Sequence, residues 1–310
     1  MIVDLPATTV SKIARSLVSV REEGGAVALG RVLTLVIRSE GQVDEAVIDA
    51  ANDASREHPM RVIVLETYAA DTARLDAEIR VGGDAGASEV VVLHARGAAA
   101  SNEESLITGL LLPDAPVVAW WPEDPPAVPG DSPIGRIAQR RITDAASEPR
   151  SPHRLSELGA AYRPGDTDLT WTRLTHWREQ LASVLDQPPY DTVTGVEVVG
   201  AGSSPSTGLL AAWLRLELDV PVQWRYAPRE EWDHGICRVV LQRASGDVRL
   251  ERSNDVNARL TQPGQPAHDI VLPRRTLREC IAEELRRLDP DLLYGRVIAE
   301  GWRLLDPPTT

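Results

Sequence analysis

Phenylalanine is absent from this chain of 310 residues, and Lys12 is its only lysine. We interpret both biases as codon usage in a GC-rich genome, so they carry little functional information. The sequence has no uninterrupted run of about 18 apolar residues, which argues against a membrane-spanning helix. The N-terminal segment lacks the charged start, apolar stretch and small-residue cleavage site of a secretion signal. Together these absences predict a cytoplasmic protein with no membrane partner.

Cysteine and net positive charge are scarce as well. Cys237 and Cys280 are the only two cysteines, which is too few for a disulfide framework. They are also too isolated for a zinc site, whose ligands come in close pairs. The formal net charge of -13 argues against nucleic acid, because binding to phosphates depends on Lys and Arg. We therefore expect no bound metal and no nucleic-acid partner.

Apolar runs alternate with amphipathic stretches along the chain, as in proteins that build parallel sheets. Strands are predicted at Val32 to Ile37, Arg61 to Glu66 and Glu89 to His94, with glycine turns at Gly24-Gly25 and Gly82 to Gly86. The length suits two domains, which we place at residues 1–145 and 146–310. The predicted fold class is α/β, with two α/β domains that each contain a mixed, largely parallel sheet flanked by helices. We expect five strands in the first sheet.

The segment LLLPDAPVVAWWPEDPP, residues 110–126, combines a short strand, two adjacent tryptophans and a proline-rich exit. Side chains alternate across a strand, so Trp120 and Trp121 are predicted to point to opposite faces. They stand at the carboxyl end of the strand, which is the edge where ligands bind in open α/β sheets. We expect one indole to be buried and one to be exposed as a recognition anchor. Packing of both rings in the core remains the alternative.

A second distinctive segment, YRPGDTDLTWTRLTHWREQLASVLD, begins at Tyr162. Asp166, Thr167 and Asp168 are residue types that cap helix N-termini, so a helix is predicted to begin there. Apolar residues recur in it at spacings of three and four, from Trp171 onward, and give the helix one apolar face. That face is either core or a docking surface.

The loop GAGSSPS, residues 200–206, follows a predicted strand and precedes a predicted helix. It nearly matches the dinucleotide fingerprint, but Pro205 stands where the third glycine is required. A weaker prediction is an anion site at the helix N-terminus, and a simple small-residue turn is its alternative. The candidate anion-binding residues are Gly202, Ser203, Ser204 and Ser206.

The sequence shows none of the local motifs of nucleophilic, phosphate-cradling or zinc-dependent catalysis. There is no Gly-x-Ser-x-Gly, no P-loop and no His-Glu-x-x-His, and the six histidines lie apart from one another. We therefore predict no catalytic residues and no cofactor.

The two tryptophan-containing segments and the shorter HPMRVIVLE, which begins at His58, resemble the OpcA family of glucose-6-phosphate dehydrogenase assembly proteins. The order and spacing of these segments agree over nearly the whole chain. The resemblance implies a noncatalytic partner that binds glucose-6-phosphate dehydrogenase, promotes its active oligomer and raises its activity in the oxidative pentose phosphate pathway.

A docking patch for the dehydrogenase follows from combining the two segments with the resemblance. The runner-up function is a sugar-phosphate-binding enzyme or sensor that uses the Gly200 to Ser206 loop. The candidate partner-binding residues are Trp120, Trp121, Pro122, Asp124, Pro125, Asp166, Asp168 and Trp171.

Overall fold

A computed structural model describes residues 1–23, 32–81, 89–147, 151–188 and 190–308. The glycine turns predicted at Gly24-Gly25 and Gly82 to Gly86 lie outside the described residues. The strands are β1 Ile2–Leu5, β2 Leu33–Glu40, β3 Met60–Tyr68, β4 Arg74–Val81, β5 Glu89–Arg96, β6 Val117–Trp121, β7 Arg140–Thr143, β8 Asp166–Asp168, β9 Val193–Ala201, β10 Val222–Ala227, β11 Ile236–Arg243, β12 Val248–Arg252, β13 Asn257–Thr261 and β14 His268–Val271. The α-helices are α1 Val10–Glu23, α2 Glu45–Ala54, α3 Glu103–Thr108, α4 Pro133–Ile137, α5 Ser151–Ala160, α6 Leu169–Arg173, α7 Thr175–Leu185, α8 Ser206–Leu218, α9 Leu277–Arg286 and α10 Leu292–Ala299.

The chain divides into two units. Unit 1 contains Met1–Thr143, Gly165–Thr167 and Thr276–Pro290, and unit 2 contains Asp144–Pro164, Asp168–Arg275 and Asp291–Thr310. Each unit has its own sheet and its own helices, so the predicted α/β fold class is confirmed. The domain boundary between residues 145 and 146 stays a prediction. None of the described helices is long and apolar enough to cross a membrane.

Unit 1 is built on an eight-stranded sheet with the order β1-β4-β5-β3-β2-β6-β7-β8. The pairs from β5 to β7 are parallel, whereas β4 runs antiparallel to both β1 and β5. Five strands were predicted, and β1, β7 and β8 were missed. β7 and β8 have few apolar side chains, and β1 is an edge strand of only four residues. None of the three therefore shows the longer apolar run that reveals a buried strand.

The central strands of unit 1 are buried on both faces. Every residue of β6 is buried, and β2, β3 and β5 show nearly unbroken burial along their length. Alternate side chains point to opposite faces, so this pattern requires cover on both sides of the sheet. One of the two cores contains Val36, Ile63 and Trp121 of the sheet together with Ile13 of α1 and Leu106 of α3.

Unit 2 is built on a six-stranded sheet with the order β10-β9-β11-β12-β13-β14. The prediction of a largely parallel sheet does not describe this unit, because only β9 and β10 run parallel and the remaining pairs are antiparallel. β11 to β14 follow one another directly, and short loops permit only antiparallel neighbours. The residues of β12 alternate between buried and exposed, as expected for a sheet with one face in water.

Candidate functional site

The two adjacent tryptophans of β6 are both sealed inside unit 1. Trp120 is 0% exposed and Trp121 is 2% exposed, so the prediction that one indole is presented to solvent is wrong. They do point to opposite faces of the sheet, but each face has its own core. The alternative, in which both rings pack in the core, is confirmed.

The proline-rich exit of β6 is also mostly buried. Pro122 and Pro125 are buried, whereas Asp124 between them is exposed. Asp124 has a φ of 45°, a left-handed backbone conformation in which aspartate is among the more tolerated residues. The exposed part of this loop is therefore acidic, and it offers no aromatic anchor to a partner.

Asp166 was predicted to cap a helix, and this prediction is wrong because the residue lies in strand β8. It is buried, and its carboxylate accepts a hydrogen bond from Nε of Arg141, which is itself buried in β7. The preceding Gly165 has a φ of 97°, and a Cβ there would lie 2.6 Å from the carbonyl oxygen of Gln139. The Gly-Asp pair therefore attaches β8 to β7.

Asp168 does cap a helix, as predicted. Its carboxylate accepts hydrogen bonds from Thr170 N at 2.8 Å and from Ala145 N at 2.9 Å, and it is fully buried. The helix that it caps, α6, ends after five residues, and α7 follows as a separate helix, so the long helix predicted here is divided.

Trp171 lies in α6 and is 2% exposed, so it is not available as a docking anchor. Its indole Nε1 donates to the Asp291 carboxylate at 2.8 Å, and the guanidinium carbon of Arg178 lies 3.7 Å from its ring centroid. The three indoles of the predicted docking patch, together with Asp166 and Asp168, therefore stabilise the fold.

A cleft of about 1030 Å³ opens in unit 1 at the carboxyl ends of β2, β3 and β5. Ligands bind at this edge in open α/β sheets. Its walls carry charges of both signs, among them Arg38, Glu40, Asp71 and Glu103, and Arg38 Nε donates to Glu103 at 3.1 Å.

Glu66 lies next to this cleft and is held by three donors. Its carboxylate accepts from Val43 N at 3.0 Å and from the Tyr68 hydroxyl at 2.6 Å, and it lies 2.7 Å from His94 Nδ1. Burial by itself raises the pKa of Glu66, but the hydrogen bonds from His94, Tyr68 and Val43 outweigh it and lower that pKa. The hydrogen bond to Glu66 raises the pKa of His94, and burial followed by the Glu66 contact raises the pKa of Tyr68 to about 12.

The loop that follows β2 does not suit a nucleotide phosphate. Helix α2 begins after this loop, and the carboxylate of Asp44 accepts from Ala46 N at 2.9 Å. A negative charge therefore already occupies the helix N-terminus at which a pyrophosphate would sit. The loop contains one glycine, Gly41, instead of the glycine-rich turn of dinucleotide sites.

Unit 2 contains a smaller pocket of about 270 Å³ at the start of α8. Of the predicted anion-binding residues, Ser204 and Ser206 line it, whereas Gly202 and Ser203 do not. Its basic side chains were missed, because they come from distant parts of the chain and form no local sequence motif. They are Arg173, His234, Arg252, Arg274 and Arg275.

The described residues contain no group of three or more His, Cys, Asp or Glu side chains that could hold a metal ion. Within the same part of the chain, neither Cys237 nor Cys280 is in a disulfide, and burial raises the pKa of the Cys237 thiol.

Two family models match this sequence, and they divide it between them. Residues 51–160 match the N-terminal domain of a glucose-6-phosphate dehydrogenase subunit, and residues 164–298 match its C-terminal domain. The chain belongs to the OpcA family. The resemblance of the tryptophan-containing segments to that family is thereby confirmed. No curated protein matches the sequence.

Solved structures similar to this OpcA-family chain include a dehydrogenase, a reductase and an oxidoreductase, all at low identity. A glucose-6-phosphate 1-dehydrogenase from Mycobacterium avium is 12% identical, with 89% of this chain and 92% of that chain covered and a TM-score of 0.46. A biliverdin reductase from Synechocystis sp. PCC 6803 is 11% identical, with coverages of 86% and 95% and a TM-score of 0.39. An oxidoreductase from Sinorhizobium meliloti is 12% identical, with coverages of 89% and 90% and a TM-score of 0.42.

Proposed function

We propose that this protein is a noncatalytic subunit that binds glucose-6-phosphate dehydrogenase in the cytoplasm and promotes its active oligomer. The observation that carries the proposal is the pair of family models, which describe the two domains of a dehydrogenase subunit and together span residues 51–160 and 164–298. On this proposal the protein raises flux into the oxidative pentose phosphate pathway as an allosteric activator.

The chemistry of the unit 1 cleft supports a noncatalytic role. Glu66 is the buried carboxylate next to it, and three hydrogen bonds lower its pKa, so it is a weak base. His94 is hydrogen-bonded to the same carboxylate. The side chain of Asp44 caps the N-terminus of α2, which is where the phosphate of a cofactor would bind.

The contact with the dehydrogenase must use exposed side chains, because the indoles of the predicted patch are buried. We infer that it uses the outward face of the unit 2 sheet, which presents charged residues on rigid strands. Arg225 and Arg238 both pair with Glu197 there, and Arg259 pairs with Asp269 at 3.1 Å. An ordered array of both signs gives specificity and orientation to a protein contact.

The experiment is to mix the purified protein with its cognate dehydrogenase and to measure complex mass by light scattering and the initial rate of glucose 6-phosphate oxidation. We expect a heavier complex and a faster rate, while this protein alone oxidises no substrate. A wild-type protein that neither binds nor activates, or that turns over substrate unaided, would contradict the proposal.

The surface is tested separately with Arg249→Glu combined with Arg259→Glu. Arg74→Glu is the matched control, because Arg74 is an exposed strand residue paired with Asp76 at 2.8 Å, much as Arg249 is paired with Asp247 at 3.1 Å. We expect the double variant to bind the dehydrogenase more weakly and the control to bind it normally. Equal binding by both would reject the surface and leave the function standing.

A further inference from the structure

The pocket at the start of α8 is cationic. Four arginines and His234 line it, and none of the described residues that line it is acidic. The whole chain carries a net charge of -13, so the sign of this arginine cluster is opposite to that of the chain as a whole. A low-dielectric cavity with one sign of charge attracts an ion of the opposite sign.

Arg252 is the most deeply buried cation of this pocket. It is 6% exposed, and its guanidinium donates through Nη1 to the carbonyl oxygens of Leu272 at 2.6 Å and Asp255 at 3.2 Å. Its Nε is buried and has no hydrogen-bond partner among the described residues. Burial followed by the neighbouring Arg274 lowers the pKa of Arg252 to about 10, so it stays a cation at neutral pH.

The other arginines are fixed in place by contacts outside the pocket. Arg173 donates both terminal nitrogens to the Asp144 carboxylate at 2.6 Å, and Arg274 donates Nε to Asp255 at 2.7 Å. Arg275 donates to the carbonyl oxygen of Thr172 at 2.9 Å. Asp144 and Asp255 are thereby paired with Arg173 and Arg274, and Asp233 lies beside His234. None of these three carboxylates lines the pocket, whose described lining residues include four arginines. Pre-positioned arginines suit the tetrahedral oxygens of a phosphate.

Helix α8 adds the positive end of its dipole to this pocket. It contains 13 residues, and its N-cap is Pro205, which makes no side-chain capping bond. Ser204 and Ser206 both line the pocket, and the Ser204 hydroxyl accepts from Ser206 N at 3.3 Å. In contrast to α2, no capping carboxylate stands at this terminus, so it suits an external anion.

We propose that this pocket binds the phosphate group of a small phosphate monoester. The buried Arg252, the surrounding arginines and the α8 terminus supply independent sources of positive charge around one cavity. Its volume of about 270 Å³ lies just below the range of about 300 to 1,000 Å³ usual for ligand sites, so it suits a small ester and not a dinucleotide. The proposal concerns binding by this chain alone and does not depend on the dehydrogenase.

The test is isothermal titration of the full chain with glucose 6-phosphate, inorganic phosphate and glucose. We expect saturable binding of one equivalent of the phosphate-containing probes and none of glucose. Tighter binding of glucose 6-phosphate than of inorganic phosphate would identify an ester as the ligand, and equal binding would identify the free ion as sufficient. Absence of saturable binding by either phosphate probe would overturn the proposal.

Variants link the binding to this pocket. We expect Arg275→Gln and Ser204→Glu each to weaken phosphate binding about tenfold or more, because one removes a charged donor and the other adds a negative charge. Arg252→Lys keeps the buried charge and is expected to bind with a smaller loss. Arg249→Gln is the control, because Arg249 is an exposed arginine of the same strand that does not line the pocket. Equal affinity in Arg275→Gln, Ser204→Glu and the control would overturn the site.

Discussion

The two sheets of this protein differ in how many of their faces are covered. The central strands of the unit 1 sheet are buried on both faces, whereas strands of the unit 2 sheet alternate between buried and exposed residues. Trp120 and Trp121 in the first sheet are buried, whereas Arg249 and Arg259 in the second are exposed. The position of a residue on a strand therefore says little about exposure until the number of covered faces is known.

This difference explains why the docking patch predicted from sequence fails. The prediction assumed that adjacent strand residues alternate between core and solvent, which holds for a sheet with one wet face. Trp120 and Trp121 alternate between two cores instead. A sheet face that is open to solvent occurs in unit 2 instead.

The largest expected effect is that of Trp120→Ala. Removing a fully buried indole leaves a cavity, so we expect the free energy of unfolding to fall by about 3 to 5 kcal/mol. Trp120→Phe is the control, because the indole Nε1 has no hydrogen-bond partner among the described residues and the expected loss is smaller. Urea denaturation followed by circular dichroism measures both. A loss below about 1 kcal/mol for Trp120→Ala would contradict a sheet covered on both faces.

The buried ion pair of unit 1 should produce the next largest effect. Arg61 Nε lies 2.8 Å from the Glu89 carboxylate, and both side chains are buried. Glu89→Leu leaves Arg61 buried without this partner, and we expect a loss of about 3 kcal/mol. The double variant Arg61→Met with Glu89→Leu should recover much of that loss in the same denaturation assay. A loss in the double variant equal to the sum of the losses of the two single variants would show that the pair is not coupled.

The Glu66–His94 contact predicts a smaller, pH-dependent effect. The pKa of His94 is higher in the folded protein than in the unfolded chain, so protonation of His94 stabilises the folded state. This contribution is complete at pH values below the unfolded pKa, near 6.5, and it is lost as the pH rises through the folded pKa. We expect His94→Asn to remove this decline, which should amount to less than about 1 kcal/mol because His94 is partly exposed. Denaturation midpoints measured from pH 6 upward test it. An unchanged pH profile in the variant would contradict the assignment to His94.

The smallest effect on stability is expected on the outward face of unit 2. Arg249 is exposed and pairs with Asp247 two residues away, so Arg249→Glu should change the free energy of unfolding by less than about 0.5 kcal/mol. Thermal denaturation checks this expectation. A loss of several kcal/mol would show that this face is covered and would remove the contrast between the two sheets.

Much of the sheet framework could be predicted from sequence, because continuous apolar runs mark strands buried on both faces. The runs at 61–66 and 117–120 correspond to β3 and β6 within a few residues. Strand β7 was not predicted, because Arg140 and Arg141 suggested a solvated face or ion pairs. Both arginines are buried, and they pair with Glu284 and Asp166. Long-range partners of this kind leave no local pattern.

The candidate sites could be predicted less well. The anion prediction at Ser204 and Ser206 used a local signal, the start of a helix, and both residues line the unit 2 pocket. Arg252 and Arg274 lie far from these serines in the sequence, so no local motif predicts that they line the same pocket. Helix α9 also packs against α2 although the two helices are far apart in sequence. Arg286 donates a hydrogen bond of 3.0 Å to Glu57, which lies 229 positions earlier in the chain.

We propose that this protein acts by binding the dehydrogenase, and a single titration measures whether it does. Increasing amounts of the purified protein are added to a fixed amount of cognate glucose-6-phosphate dehydrogenase, and the initial rate and the mass of the complex are measured together. We expect both to rise and to reach a plateau at the same molar ratio. A rate and a mass that stay at the values of the dehydrogenase alone, at full excess of this protein, would contradict it.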